Sequence, residues 1–219
     1  MSSIFGALLI SVNPEILSPW EKITKRIVDV LLSILAILIL LPVFILLSFL
    51  IKTGSKGPII FKQKRIGLYG NPFWIFKFRS MITEAEKDGP QLSSQNDPRI
   101  TAIGKFMRKT RLDETPQFFN VIKGDMAIVG PRPEREYYIE KIVAKAPHYK
   151  HVLKVKPGIT SWGQIKFGYA ENVDEMVARL KFDLLYVENM SLSLDVKILF
   201  YTAIILSLIH ISEPTRLAE

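Results

Sequence analysis

From Ile27 to Ile51 the chain reads IVDVLLSILAILILLPVFILLSFLI, 25 residues in which Asp29 carries the only charge. About 20 apolar residues suffice for a helix to cross a bilayer core, so the rest of the chain must fold beside a membrane segment. A cleavable signal peptide fits poorly. The run is too long for an h-region and ends in Lys52-Thr53-Gly54 with no small-x-small cleavage site. Pro42 lies inside the segment and removes one helix hydrogen bond. Lys22, Lys25 and Arg26 precede it, and Lys52, Lys56, Lys62, Lys64 and Arg65 follow it. Basic flanks favour the cytoplasmic side, so both ends are drawn the same way. A hairpin that dips in and returns satisfies both pulls; a kinked single-pass helix is the alternative.

Charge is as segregated as hydropathy. Residues 52–111 contain 13 Lys/Arg and 4 Asp/Glu, a net of +9, within a chain whose formal charge is +8. A basic block beside a membrane segment attracts anionic headgroups. It also suits a polyphosphate substrate, the sharper reading. No nucleic-acid recognition motif accompanies the charge. Zero cysteines exclude a disulfide scaffold, cysteine–zinc and iron–sulfur sites and thiol catalysis. A length of 219 residues allows one domain with an appendage.

The pattern predicts an α+β fold. Ile59 to Lys64 and Phe73 to Phe78 read as strands around a turn from Gly67 to Pro72. Helices are predicted from Asp97-Pro98 to about Thr110, from Thr115-Pro116, and from Pro133 to the residue before Pro147. A further helix runs from an Asn172 cap to about Val187, with Met176, Leu180, Leu184 and Val187 on one face. That helix and the apolar run Ile198 to Ile205 read as amphipathic helices lying at the bilayer surface, with core packing as the alternative. Leu206 to Arg216, LSLIHISEPTR, resembles the conceptual translation of a sequencing-library adapter. The expected divisions are therefore a lead-in (1–19), a membrane helix (20–55), a cytoplasmic domain with interfacial helices (56–205) and an adapter-derived tail (206–219).

His148 and His151 form an H-x-x-H without an evident third ligand. The densest polar stretch is Arg108 to Arg135. Asp113 and Glu114 stand just before a predicted helix start, whose free N–H groups favour ionised carboxylates, with Arg108, Lys109 and Arg111 upstream. An ionised carboxylate amid cations suits a nucleophile or a Mg²⁺ ligand; a helix cap paired with arginine is the plainer reading. Arg132 lies between Pro131 and Pro133, whose fixed φ angles hold the backbone extended, as a guanidinium aimed at phosphate requires.

Three strings, GPIIFKQKRIGLYGNPFWIFKFRSM, RLDETPQFFNVIKGDMAIVGPRPE and KPGITSWGQ, resemble the bacterial sugar transferases, monotopic polyprenyl-phosphate phosphoglycosyl transferases. The likeness runs from about Trp20 to Ile205, and GYAENVDEM resembles larger exopolysaccharide-type members. It implies that Asp113 attacks a UDP-sugar, and that the phosphosugar passes to undecaprenyl phosphate. It implies that Glu114 serves Mg²⁺ and takes a proton from the lipid phosphate. Arg132, Arg108 and Arg111 would stabilise phosphoryl charge, with Lys77 and Arg79 as further phosphate contacts. It also implies a membrane helix re-entering at Leu41-Pro42 and a catalytic domain on the cytoplasmic face of a bacterial inner membrane, in contact with its lipids. Thr115, Ala127 and Ser161 stand where Leu, Ser and Gly are usual in that family. The rivals are a membrane-anchored phosphodiesterase and a non-catalytic polybasic membrane-binding module.

Overall fold

The computed structural model describes residues 17–87, 89–92 and 97–209, with the backbone of two short paired strands, β1 (Ser3–Ile4) and β2 (Ala7–Leu8). Helix α1 (Pro19–Gly54) starts as the sequence requires. Pro19 occupies its first position and Ser18 caps it, with Glu21 reaching back to the Ser18 N–H at 3.0 Å. The helix is continuous through Pro42 and is long and apolar enough to cross a membrane. Leu38, Ile39 and Ile45 are each more than 60% exposed, a surface that only lipid or another apolar partner covers.

Strands β3 (Ile60–Ile66) and β4 (Pro72–Phe78) pair antiparallel, Ile60 opposite Phe78 and Ile66 opposite Pro72. The turn places Tyr69 and Gly70 at positive φ. Directly opposed residues share a sheet face, so Arg65 and Gln63 lie on the same side as Phe73, Ile75 and Lys77. Phe73 and Ile75 are buried there, which carries the Lys77 amine inward. The free edge of β4 is closed by one side chain rather than by a strand. Buried Asn120 accepts from Phe76 N at 3.0 Å and donates to Trp74 O at 2.7 Å.

Helix α2 (Ala102–Thr110) begins at Thr101, whose Oγ1 accepts from Gly104 N. The start expected at Asp97-Pro98 is four residues too early. Asp97 instead binds the Arg99 backbone and guanidinium at 2.6–3.0 Å, a local turn that competes with helix. After α3 (Gln117–Lys123), β5 (Ala127–Val129) pairs in parallel with β6 (Gly158–Thr160). Between them lie α4 (Glu136–Lys145), starting three residues after the Pro133 predicted to open it, and a 3₁₀ segment, Pro147–Lys154.

Helices α5 (Trp162–Lys166), α6 (Val173–Glu188) and α7 (Leu192–Ile209) complete the described chain. Asn172 caps α6 as predicted. Met176 and Leu180 pack with Tyr138, Ile142 and Val152 in a core cluster, the packing given above as the alternative for this helix, while Leu185 stays exposed. Helix α7 differs. Ile198 is fully buried, whereas Val196 and Phe200 are 66% and 64% exposed, so apolar residues line both faces. His210 and the rest of the adapter-like string after Ile209 lie outside the described residues.

Candidate active site

A 3₁₀ turn, Leu112–Glu114, carries the two adjacent carboxylates. Arg111 ends α2 in the left-handed conformation, φ 61°, and so redirects the chain. Thr115 Oγ1 then donates to Leu112 O at 2.7 Å and closes the turn. Asp113 and Glu114 are buried, 7% and 8% exposed. They do not cap α3 as expected, for α3 begins later, at Gln117 with Pro116 in the cap position.

Lys77 Nζ and Arg132 Nη2 both donate to Glu114 Oε1, at 2.6 and 3.0 Å. Burial works against the Glu114 charge, but Arg132 and Lys77 outweigh it and hold the carboxyl well below its usual range. A carboxylate so held is a poor proton acceptor, which argues against the proton-taking role the resemblance gave it. Asp113 is pushed the other way, up to about 6, first by burial and then by the neighbouring Glu114 charge, with Lys77, Arg108 and Arg111 tempering the rise. The expectation that its surroundings simply favour the ionised form is therefore corrected: burial was invisible in the sequence. Among the described residues, none donates a hydrogen bond to the Asp113 carboxylate.

Of the expected phosphate contacts, four converge here. Lys77 and Arg132 hold Glu114. Arg108 donates from Nε to Ser80 Oγ at 2.9 Å and adds positive potential at Asp113. The Arg111 guanidinium lies on the Tyr169 ring, 3.9 Å from its centroid. Arg79 does not join them. It is 4% exposed and donates to Ser55 O, Ser55 Oγ, Lys56 O and Ile51 O at 2.7–3.3 Å. A cation among those carbonyls complements the C-terminal end of the α1 dipole.

Sequence reasoning missed the layer beneath. Glu134 lies buried between Arg179, at 2.7 Å, and Arg65, at 3.3 Å, and Arg65 also donates to Pro133 O at 3.0 Å. These contacts flank the Pro131-Arg132-Pro133 segment and fix where Arg132 emerges. Asp183, raised to about 6 by burial, accepts from Gly163 N at 3.3 Å. One signal was present: Arg179 and Asp183, four residues apart, interrupt the apolar face of α6.

Mg²⁺ is commonly held by one or two carboxylates together with substrate phosphates. Glu114 Oε2 and both Asp113 oxygens accept no hydrogen bond from a described residue, so the pair fits that mode. Among the described residues there is no group of three or more His, Cys, Asp or Glu able to form a full protein cage.

The chain is similar to several known proteins. It is 42% identical over 185 residues to the UDP-N-acetylgalactosamine-undecaprenyl-phosphate N-acetylgalactosaminephosphotransferase of Aeromonas hydrophila, covering 84% of this chain and 44% of that protein. It is 41% identical over 184 residues to the UDP-glucose:undecaprenyl-phosphate glucose-1-phosphate transferase of Klebsiella pneumoniae, covering 83% and 40%. It is 36% identical over 220 residues to the undecaprenyl-phosphate galactose phosphotransferase of Salmonella typhimurium, covering 93% and 45%. The chain thus spans less than half the length of these three relatives. The family profile described as bacterial sugar transferase matches residues 20–208, a stretch that contains α1 from its second residue on, the hairpin and every residue of the carboxylate–cation cluster. On that match the chain belongs to the bacterial sugar transferase family.

Proposed function

We propose that the chain transfers a hexose 1-phosphate from a UDP-sugar to undecaprenyl phosphate, the first step of exopolysaccharide, O-antigen or capsule assembly. The single observation that carries this reading is Asp113, a buried carboxylate with no hydrogen-bond donor among the described residues, beside the charges of Lys77, Arg108 and Arg111. Glu140 on α4 makes the contrast, for it is exposed to solvent. A solvated or hydrogen-bonded carboxylate is a weaker attacking group, so the Asp113 setting suits a nucleophile.

In this reading an Asp113 oxygen attacks the sugar-proximal phosphorus of the UDP-sugar. The bond to the bridging oxygen breaks, UMP leaves, and the phosphosugar stays on the carboxylate. The phosphate of undecaprenyl phosphate then attacks the same phosphorus and frees Asp113. Lys77, Arg108, Arg111 and Arg132 face the charge that develops on the phosphoryl oxygens. Mg²⁺, held by Glu114 together with the substrate phosphates, would offset the repulsion between a diphosphate and a carboxylate. The names of the three relatives differ in the sugar and agree in undecaprenyl phosphate, which supports the lipid acceptor.

A re-entrant α1 belongs to the same proposal, with the catalytic domain on the cytoplasmic face of the inner membrane. The burial pattern of α1 supports it: Lys25, Asp29 and Ser33 are buried, then Leu47 and Ile51, and none of the residues between. Arg26 donates to Val121 O and Ile122 O at 2.6 and 2.9 Å, while the Phe44 ring meets Phe119 at 6.3 Å. Residues 26 and 44 lie about 27 Å apart along a straight helix, yet both reach the short helix α3, which favours a bend.

The test is a single-turnover assay. UDP-sugar and Mg²⁺ without lipid should release about one UMP per site and leave a hydroxylamine-sensitive adduct on Asp113. UMP release that strictly requires undecaprenyl phosphate, with no adduct, would favour direct transfer. Release of free sugar phosphate in place of a lipid-linked product would favour the phosphodiesterase.

A further inference from the structure

Tyr169 is unassigned by the transfer reading, although two of its arginines meet on it. The Arg111 guanidinium carbon lies 3.9 Å from the ring centroid and that of Arg132 lies 5.2 Å away. Both distances are within the range of cation–π attraction, about 6 Å. Elsewhere the arginines are fixed by acceptors: Arg65, Arg79 and Arg99 each donate to three or more atoms. No described residue accepts a hydrogen bond from the Arg111 side chain. Its orientation therefore comes from the ring. Stacking occupies the face of a guanidinium and leaves its rim of N–H groups free, and that rim is what binds phosphate oxygens.

The ring itself is held in place. Gly168, at φ +90°, turns the chain after α5. Helix α5 is tied to α6 through Gly163 N and Asp183 Oδ1, at 3.3 Å, and α6 is tied to Glu134 through Arg179. The segment carrying Tyr169 thus shares its support with the segment carrying Arg132.

We propose that Tyr169 is a positioning residue of the phosphate site, holding Arg111 by its face and steadying Arg132, so that both guanidiniums are oriented before the nucleotide diphosphate arrives. This rests on the transfer reading for the identity of the ligand. Removing the ring restores rotamer freedom that substrate binding must then take away, so the loss falls on affinity more than on turnover.

The experiment compares Tyr169→Phe, which keeps the ring, with Tyr169→Leu, which removes it, in the full chain in detergent or nanodiscs. The readouts are UDP affinity by calorimetry and steady-state UMP release. Tyr169→Phe should stay within about twofold of wild type. Tyr169→Leu should weaken UDP binding and kcat/KM about tenfold, or about 1.4 kcal/mol, mainly through KM, with an unchanged melting temperature because the side chain is 43% exposed. If Tyr169 acts through Arg111, Tyr169→Leu added to Arg111→Met should cost little more than Arg111→Met alone. Wild-type behaviour of Tyr169→Leu would overturn the proposal. So would equal impairment in Tyr169→Phe, or full multiplication of the two single effects. UDP binding without any UMP release by the wild type would overturn the transfer reading alone, since the calorimetric cycle still decides the role of Tyr169.

Discussion

At neutral pH Asp113 is ionised in spite of its surroundings, and that has measurable consequences. Its pKa of about 6 stands above its ordinary value of 3.8. The folded chain therefore holds this proton more tightly than the unfolded chain does, and stability falls as pH rises through the window from about 4 to 6. Above that window the cost is complete, on the order of 3 kcal/mol at about 1.4 kcal/mol per pKa unit. Asp113→Asn should accordingly raise the melting temperature at pH 7.5, with the advantage shrinking toward pH 4, while abolishing transfer. The same titration should appear in the wild-type kinetics as a fall in kcat/KM below about pH 6. A flat profile down to pH 5 would argue against an ionised Asp113 in the rate-determining step. Glu114 has the opposite sign: its depressed pKa contributes stability above its ordinary value of 4.5, lost only as pH falls through the depressed one.

The elements of the fold are positioned by close backbone approach as much as by apolar packing. Helix α2 lies against the end of β4 at Gly104, where an added Cβ would run into the Ser80 carbonyl. The contact brings Arg108 to Ser80 and sets the direction in which α2 delivers Arg111 to the carboxylate turn. Gly104→Ala should therefore force α2 outward and destabilise the protein by about 1–3 kcal/mol, measured by thermal or denaturant unfolding. A neutral result would mean that α2 can shift without cost. Arg79 and Asn120 perform comparable structural work, one at the end of α1 and the other along the open edge of β4.

The whole molecule is organised around the long apolar helix α1. Lys25 joins that helix to the core, donating to Asp195 Oδ2 at 2.5 Å and Val129 O at 3.1 Å, and Tyr186 donates to Asp195 Oδ1 at 2.8 Å. The other end is joined through Leu47 and Ile51, which pack with Phe78 and Met107. A chain without native cysteine allows a direct test of topology. Single cysteines at Ser3 and Lys56 should both resist a membrane-impermeant thiol reagent in intact spheroplasts and react once the inner membrane is opened. Labelling of position 3 alone would establish a spanning helix and overturn the re-entrant arrangement. Pro42→Ala should move the population toward spanning, because it restores a helix hydrogen bond.

What the sequence determined by itself was whatever depends on near neighbours in the chain. The apolar run, the strands on either side of Gly67 to Pro72, the Asn172 cap and the adjacent Asp113 and Glu114 all follow from spacing and local chemistry. The Asp97-Pro98 start failed because a side chain two residues away competed for the backbone. Tertiary structure alone decided which cations serve the carboxylates. Lys77 and Arg79 are two residues apart in the chain, yet one reaches Glu114 and the other the end of α1. It also decided the charge state of Asp113, because burial, unlike charge spacing, is a property of the assembled fold and outweighs the cations written beside it.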